Sequence, residues 1–277
     1  MTNIPSHKFK GSYTAEEVDE DLAFLRNELG RKLANSPSAM GGKQVAAQFT
    51  RGCGAYSVGR PKDALEAFHA SVECSGAQFS AVSAEPNTTI AFVFRGNTLT
   101  GPAGAPQFGA LPPYWIQAVF LSAALQRSEI LETLLAVPLT VFDKAPGEVD
   151  ACYIHLVHAL KAFFAHRDFA GNLEEFDRLS RPESLKIATP PILERYRAIG
   201  PVLAAFEKGD ALAFNQALIR ELEAHKKTFG KGKDANTPNG LIDVHAAGLM
   251  RLALNRGLKL DVESDYVPKW LIGLEQS

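Results

Sequence analysis

Three segments of this chain each read as the end of one helix, a short polar turn and the start of a second helix. They cover residues 56–68, 164–176 and 206–218. Two helices joined by so short a turn pack antiparallel. The turns lie about one hundred and then about forty residues apart, whereas a solenoid repeats at a fixed period. The sequence therefore predicts a mostly α fold, an irregular bundle of antiparallel helical hairpins.

Helix signals fill most of the chain. Thr14 followed by Glu17 predicts a capping box, in which the two residues satisfy exposed amides at a helix start. Behind it, apolar residues recur every three or four positions from Val18 to Leu33, which predicts an amphipathic helix. Further helices are predicted over residues 39–56, 63–74, 114–126, 128–135, 148–166, 168–179, 191–207, 210–229, 241–255 and 268–274, with Gly257 as a C-terminal cap.

One segment departs from the helical pattern. Residues 88–94 are β-branched and aromatic, which predicts a strand. An unpaired strand would leave its backbone unsatisfied, so we expect one short β-hairpin over residues 79–94, with residues 79–82 as the partner strand. Residues 96–113 hold four glycines and four prolines and are predicted to form a long loop. The chain is then a single helical domain over residues 1–277, with an N-terminal subregion 12–95, the loop 96–113 and a C-terminal subregion 114–277.

Composition narrows the class of protein. The 277 residues are 46% hydrophobic, which is enough for a substantial core, and the net charge is −2. A charge so near zero predicts no direct binding to nucleic acid and no attraction to an anionic membrane. The three cysteines are scattered, which favours buried, reduced thiols and a cytoplasmic protein. Residues 1–11 lack the apolar stretch of a secretory signal.

A histidine pair is the first candidate for chemistry. His155 and His158 lie three residues apart on one predicted helix, and two histidines on one helical face can ligate zinc. The glutamate of an H-E-x-x-H motif is absent, and no third ligand stands at a diagnostic spacing. A structural role, with the imidazoles half-buried or bonded to backbone, is therefore favoured over a metal site.

The basic loop between His225 and His245 is the second candidate. Its lysines could attract a phosphate, but their order does not match a Walker loop, so a solvated, mobile loop is favoured. The sequence also lacks a nucleophile elbow and a dinucleotide fingerprint. These observations predict that the protein is not an enzyme, with no catalytic, cofactor-binding or metal-binding residue assigned.

Three acidic clusters are the candidates for binding a partner. If their carboxylates share a face, they would meet a basic partner such as a nuclease surface and speed association. The alternative is ordinary solvated helix faces, with the acids favouring helix N-termini. The candidate residues are Glu16, Glu17, Asp19, Glu20 and Asp21, then Glu174, Glu175 and Asp177, then Asp261, Glu263 and Asp265.

The last third of the chain carries a resemblance to a known family. It begins with His225-Lys226-Lys227, runs through Asn239-Gly240 and an apolar helix ending at Asn255-Arg256-Gly257-Leu258, and closes with the segment Val262-Glu263-Ser264-Asp265-Tyr266-Val267-Pro268. With Tyr114-Trp115 and the helix behind it, residues 111–274 resemble the Imm49 family of immunity proteins. The resemblance implies an all-α protein of a bacterial polymorphic toxin system that protects its cell by binding a toxin. No catalytic residue is implied.

The resulting hypothesis is an immunity protein that neutralises a cognate toxin by stoichiometric occlusion of its active site or substrate groove. Tyr266 and Trp270 in the closing segment are expected to dock the tail into the core, because such side chains bury large areas. Two alternatives stay open. One is a tetratricopeptide-like adaptor or chaperone, since the hairpins are partly tetratricopeptide-like. The other is a metal-dependent hydrolase that uses His155 and His158.

Overall fold

A computed structural model describes residues 1–105, 110–143 and 149–275, and these residues form a mostly helical fold with two small pairs of strands. The α-helices are α1 (Ala15–Phe24), α2 (Gly30–Asn35), α3 (Pro37–Ser57), α4 (Pro61–Ser83), α5 (Pro112–Ala124), α6 (Ser128–Ala136), α7 (Thr140–Asp143), α8 (Cys152–Phe164), α9 (Ala170–Leu179), α10 (Pro190–Arg197), α11 (Ile199–Lys208), α12 (Ala211–Phe229) and α13 (Val244–Asn255). The strands are β1 (Thr2–Ile4), β2 (Thr89–Phe94), β3 (Asn97–Pro102) and β4 (Val262–Ser264). The predicted mostly α class is confirmed.

The capping box at the first helix is confirmed. Glu17 N donates to Thr14 Oγ1 at 3.2 Å, and Thr14 N donates to Glu17 Oε2 at 2.7 Å. A π-helical turn, Leu25–Leu29, joins α1 to α2, and the apolar positions from Val18 to Leu33 are buried. The helical periodicity in the sequence therefore identified the buried face of this segment.

The helices α3 and α4 form a long antiparallel hairpin around the turn at residues 58–60. Gly41 and Gly52 allow the two backbones to approach. A Cβ atom at Gly41 would lie 2.7 Å from the carbonyl oxygen of Cys74, and one at Gly52 would lie 2.4 Å from Cε1 of Phe68. The glycines that weaken the helix signal at residues 39–56 are thus explained by close helix packing.

The predicted β-hairpin is present, but its partner strand was wrong. Residues 79–82 belong to α4, which runs to Ser83, and β2 pairs instead with β3 in antiparallel register from Thr89↔Pro102 to Phe94↔Asn97. Arg95 and Gly96 form the connection with φ angles of 51° and 74°, the left-handed values of a tight two-residue hairpin turn. The predicted loop 96–113 is therefore a strand over residues 97–102, and its residues 106–109 lie outside the described part of the chain.

A parallel strand pair joins the two ends of the chain. Thr2 pairs with Val262 and Ile4 with Ser264. Nothing in the local sequence predicts this contact. The larger hydrophobic core runs from Ile4 to Ile272, and a smaller core lies between α1–α4 and the β2–β3 hairpin. The division into subregions 12–95, 96–113 and 114–277 within one domain stays a prediction.

Several predicted helix boundaries need correction in the C-terminal half. Residues 191–207 form two helices, because Pro201 lacks the amide that a continuous helix would use and its ring collides with the preceding turn. The helix predicted from residue 148 begins at Cys152, and residue 148 lies outside the described residues. The one predicted from residue 241 begins at Val244, and residues 268–274 form only a 3₁₀ turn, Lys269–Ile272. Among the described helices, none has the length and apolar content needed to cross a bilayer.

Candidate functional site

A cluster of buried ionisable side chains lies where α12 meets the start of α13. Glu221 and His225 stand one turn apart on the buried face of α12. Asp243 is the N-cap of α13 and accepts hydrogen bonds from the amides of His245 and Ala246 at 3.1 and 3.3 Å. The exposed fraction of Glu221, His225, Asp243 and His245 is at most 1%. Capping and helical periodicity therefore bring four ionisable groups into one dry site, which we call the buried cluster.

The hydrogen bonds of the buried cluster fix which ring nitrogens carry protons. His225 Nε2 lies 2.9 Å from the carbonyl oxygen of Gly240, which can only accept, so Nε2 carries the proton. The unprotonated Nδ1 of His225 faces Asp243 Oδ2 at 3.2 Å. His245 Nδ1 accepts from Arg195 Nη2 at 3.3 Å and lies 3.8 Å from Glu221 Oε1. The unprotonated ring nitrogens of both histidines thus lie close to carboxylate oxygens, and Arg195 is the cation beside them.

Burial dominates the electrostatics of the cluster. It lowers the pKa of His225 to about 4 and that of His245 well below its usual value, so both rings are neutral at pH 7. Burial, reinforced by the Asp243 carboxylate, raises the pKa of Glu221 well above its usual range. Burial opposes ionisation of Asp243 as well, but the positive charge of Arg195 keeps the pKa of this carboxyl below its usual value.

A cavity of about 330 Å³ adjoins the buried cluster. Arg195 and His245 form part of its wall, together with Gln117 and Asn239. The guanidinium of Arg195 lies over the ring of Phe229, 5.3 Å from its centroid. Nε2 of Gln117, Oδ1 of Asn239 and Nε of Arg195 are buried and have no hydrogen-bond partner among the described residues. The cavity wall therefore includes polar atoms beside the cluster residue His245.

The closing segment covers the other side of the cluster. Tyr266 is fully buried, and its hydroxyl accepts a hydrogen bond from the His7 amide at 2.7 Å. Its ring meets that of His225 edge to face, with centroids 4.8 Å apart. Trp270 stacks on Phe68 with centroids 6.4 Å apart. The prediction that Tyr266 and Trp270 dock the tail is confirmed.

Most of the first acidic cluster is bound to its own fold. Glu17 belongs to the capping box, Asp19 pairs with Arg60 at 2.8 Å and Asp21 pairs with Arg51 at 2.7 Å. Glu16 and Glu20 are exposed on α1 and form no ion pair with any described residue. These two carboxylates are the members of the cluster that no described side chain neutralises, although Glu16 lies in the first turn of α1.

The second acidic cluster lies on α9. Glu175 forms a bidentate ion pair with Arg178, one turn further along the helix. Glu174 and Asp177 are exposed, and partial burial raises the pKa of Asp177. Neither Glu174 nor Asp177 forms an ion pair with a described residue, but Asp177 lies in the field of Arg197 and Arg181, which leaves Glu174 as the freer carboxylate.

The third acidic cluster surrounds β4, and each of its carboxylates has a partner. Asp261 pairs with Lys259 at 2.9 Å, Glu263 pairs with Lys269 at 3.0 Å, and Asp265 Oδ2 accepts from the Ser6 amide at 3.1 Å. Asn215 holds the chain that leads into β4: its side chain donates to the Lys259 carbonyl at 2.9 Å and accepts from the Asp261 amide at 2.7 Å. The carboxylates of this cluster are therefore bonded within the chain's own fold.

The first and third acidic clusters meet the same turn. Tyr56 at the end of α3 donates from its hydroxyl to the carbonyl oxygen of Asp265 at 3.1 Å. Arg60, which begins the next helix, pairs with Asp19. The fold therefore brings these two clusters to the α3–α4 turn, while the second cluster lies on α9, which packs against α8.

The remaining candidates stay apart from one another. His155 and His158 have ring centroids 6.0 Å apart, and within the described residues no third metal-ligating side chain joins them. Cys53, Cys74 and Cys152 are buried and free, as expected. Part of the basic loop forms two 3₁₀ turns, Gly232–Asn236 and Pro238–Leu241, and its mobility stays a prediction.

Comparison with known families decides the class of protein. A family model described as immunity protein 49 matches residues 58–271. The chain belongs to the immunity protein 49 family. The resemblance seen over residues 111–274 is thereby confirmed, and the match extends it to include all of α4 and the β2–β3 hairpin. No curated protein and no solved structure matches the chain significantly.

The family match contains the whole buried cluster but not the first acidic cluster. Sequence reasoning singled out His225 and His245 only as the borders of a basic loop and passed over Glu221 and Arg195. A local signal existed, because Glu221 and His225 are four residues apart and so share one helical face. What the sequence could not show is that this face is buried against the N-terminus of α13.

Proposed function

We propose that this protein binds a cognate bacterial toxin at one to one in the cytoplasm of the producing cell and occludes the toxin's active site or substrate groove. The observation that carries the proposal is the immunity protein 49 match over residues 58–271. Tight binding by such an inhibitor depends on a few central anchors, with charged groups steering the encounter.

The exposed carboxylates point to where steering would act. Glu16, Glu20 and Glu174 are exposed and form no ion pair with any described residue, so they are available to a basic partner such as a nuclease. The acidic groups near β4 are neutralised by lysines or used by the backbone. We therefore place the first steering contacts on α1 and α9 rather than at β4.

The experiment is an affinity purification of the tagged protein from its native cell lysate, followed by mass spectrometry. We expect one polypeptide that carries a toxin domain, recovered at about one to one, and protection of a sensitive cell when both chains are expressed. Recovery of many substoichiometric proteins, or of none when the toxin is present, would overturn the proposal.

Charge reversal then locates the contact. We expect Glu16→Lys with Glu20→Lys to slow association with the toxin by about tenfold and to weaken its dependence on salt, because long-range attraction sets the encounter rate. Glu132→Lys, on the exposed face of α6, is the matched control, and Glu174→Lys tests the α9 surface separately. Equal association rates for all three variants would contradict steering by these carboxylates.

A further inference from the structure

The buried cluster contains more hydrogen-bond acceptors than donors. Both carboxylate oxygens of Glu221, Oδ2 of Asp243 and Nδ1 of His225 are buried, and none has a well-formed hydrogen bond to another described residue. A proton shared between Glu221 and Asp243 would pair two of these four atoms and leave the other two unpaired. Buried acceptors without a partner are strongly unfavourable, so this arrangement calls for a cation.

We propose that Glu221, Asp243 and His245 bind a divalent transition-metal ion, of which Zn²⁺ is the representative. A carboxylate oxygen from each acid and one ring nitrogen of His245 lie within 4.8 Å of one another, and Nδ1 of His245 is 3.8 Å from Glu221 Oε1. Two carboxylates and one imidazole favour zinc or manganese over calcium and magnesium, which prefer oxygen ligands alone. Two carboxylates also balance the charge of a divalent ion, which lets it enter a dry site.

The geometry fits such an ion after side-chain rotations. Metal–ligand bonds of about 2.1 Å place ligand atoms roughly 3.4 Å apart around a tetrahedral ion, so separations of up to 4.8 Å must close by up to about 1.4 Å. Glu221 has a flexible side chain, while Asp243 is fixed by its cap to α13. His225 Nδ1, 3.2 Å from Asp243 Oδ2, stands beside the three ligands and offers a further nitrogen.

Arg195 is the competitor for this position. Its Nη2 lies 3.3 Å from His245 Nδ1, where it occupies the lone pair that the ion needs. The same side chain lines the cavity of about 330 Å³, so it has space to move aside when an ion binds. Three protein ligands leave a coordination position open, and one of them, His245, also lines the cavity.

The site would connect α12, α13 and the closing segment. Tyr266 packs on His225, and the amide of Asp243 donates to the Tyr266 carbonyl at 2.9 Å. An ion held by α12 and the start of α13 would therefore tighten the contact between the helices that carry the tail. This inference does not depend on the toxin, since it concerns only the residues of this chain.

The test is a Zn²⁺ titration of the full chain after removal of metals with a chelator. We expect one saturable site by calorimetry, one zinc per chain by elemental analysis after dialysis, and a Tm higher by about 5 °C at a hundredfold excess over Kd. Glu221→Gln should weaken the affinity at least about a hundredfold, because it removes a charged ligand without changing shape. The control Glu223→Gln, exposed on the same helix, should bind as the unmodified chain does.

A second variant separates metal binding from a structural role of the cluster. Arg195→Met removes the competing cation and should strengthen zinc binding by about tenfold, whereas a purely structural cluster would show only a lower Tm. Absence of a saturable site, or equal zinc affinity in Glu221→Gln, Asp243→Asn and the unmodified chain, would overturn the proposal. A supporting result needs both the loss in Glu221→Gln and the gain in Arg195→Met.

Discussion

The contact between α5 and α13 allows a quantitative test of how tightly this fold is packed. Gly248 on α13 lies directly against the backbone of Phe120 on α5, and a Cβ atom at Gly248 would stand 2.6 Å from the Phe120 carbonyl oxygen and 2.9 Å from its Cα. Ordinary contact begins at 3.4 Å, so Gly248→Ala must separate the two helices by about 0.8 Å. Backbone atoms cannot rotate away as a side chain would.

The expected cost follows from that displacement. Overpacking a well-packed core costs about 1–3 kcal/mol, and a gap of this size also removes a quarter to a half of the dispersion energy between facing atoms. The higher helix propensity of alanine returns about 1 kcal/mol. Because the clash is with backbone, the cost falls at the upper end of this range, and we expect Gly248→Ala to lower the free energy of unfolding by about 2 kcal/mol, measured by urea unfolding with circular dichroism.

A glycine with room beside it is the control. A Cβ atom at Gly76, in the middle of α4, would lie 3.4 Å from Ile130 Cγ2, which is an ordinary contact. Gly76→Ala should therefore leave stability unchanged or raise it by up to about 1 kcal/mol. If Gly248→Ala proved as stable as Gly76→Ala, the close crossing of α5 and α13 would be refuted.

Two further predictions concern buried polar groups. Asn215→Ala should lower the free energy of unfolding by about 2–4 kcal/mol, because it leaves the Lys259 carbonyl and the Asp261 amide without their partner. The control Gln216→Ala, which is exposed on the same helix, should have little effect. Equal losses in the two variants would contradict this role of Asn215. Between about pH 4.5 and 6.5, His225 and His245 are protonated in the unfolded chain, whereas burial keeps both neutral in the folded chain. Burial keeps Glu221 protonated in the folded chain, whereas it is ionised in the unfolded chain, so the unfolded chain holds one proton more. The difference of one proton should make the unfolding free energy rise by about 1.4 kcal/mol per pH unit as pH increases through this range. Denaturant unfolding at pH 4.5, 5.5 and 6.5 measures it, and a slope that is unchanged in His225→Gln would contradict the assignment.

Part of this fold could be read from short stretches of sequence. The capping box at Thr14, the N-cap at Asp210 and the left-handed Gly209 mark helix ends through neighbours a few residues away. The antiparallel hairpins follow from such ends and the short turns between them. Likewise, the order of apolar helices and the closing segment over residues 111–274 was enough to indicate the family.

The partner of β2 shows where local pattern fails. Residues 79–82 are mostly apolar and suit a strand or a buried helix equally, and burial on the face of α4 decided the outcome. The strand β3 was hidden by the glycine and proline around it. A two-residue turn with positive φ angles at Arg95 and Gly96 then selected the nearest following segment as the partner.

The acidic clusters were visible in the sequence as candidates, and their partner-binding role stays a prediction. Tertiary structure adds the distinction among them, because only the fold shows that Asp19 and Asp21 face arginines while Glu16 and Glu20 do not. Charge runs look alike along a sequence, yet their availability depends on neighbours brought by other helices.

The sequence by itself determined the helices, their capping and the family, since these depend on interactions between residues a turn or two apart. Only the tertiary structure decided that the chain ends meet, with the His7 amide bonded to the Tyr266 hydroxyl across 259 positions, and that Glu221 faces Asp243 and His245 in a dry site. Such contacts leave no local periodicity, because their energy comes from burial and from the pairing of groups that packing alone brings together.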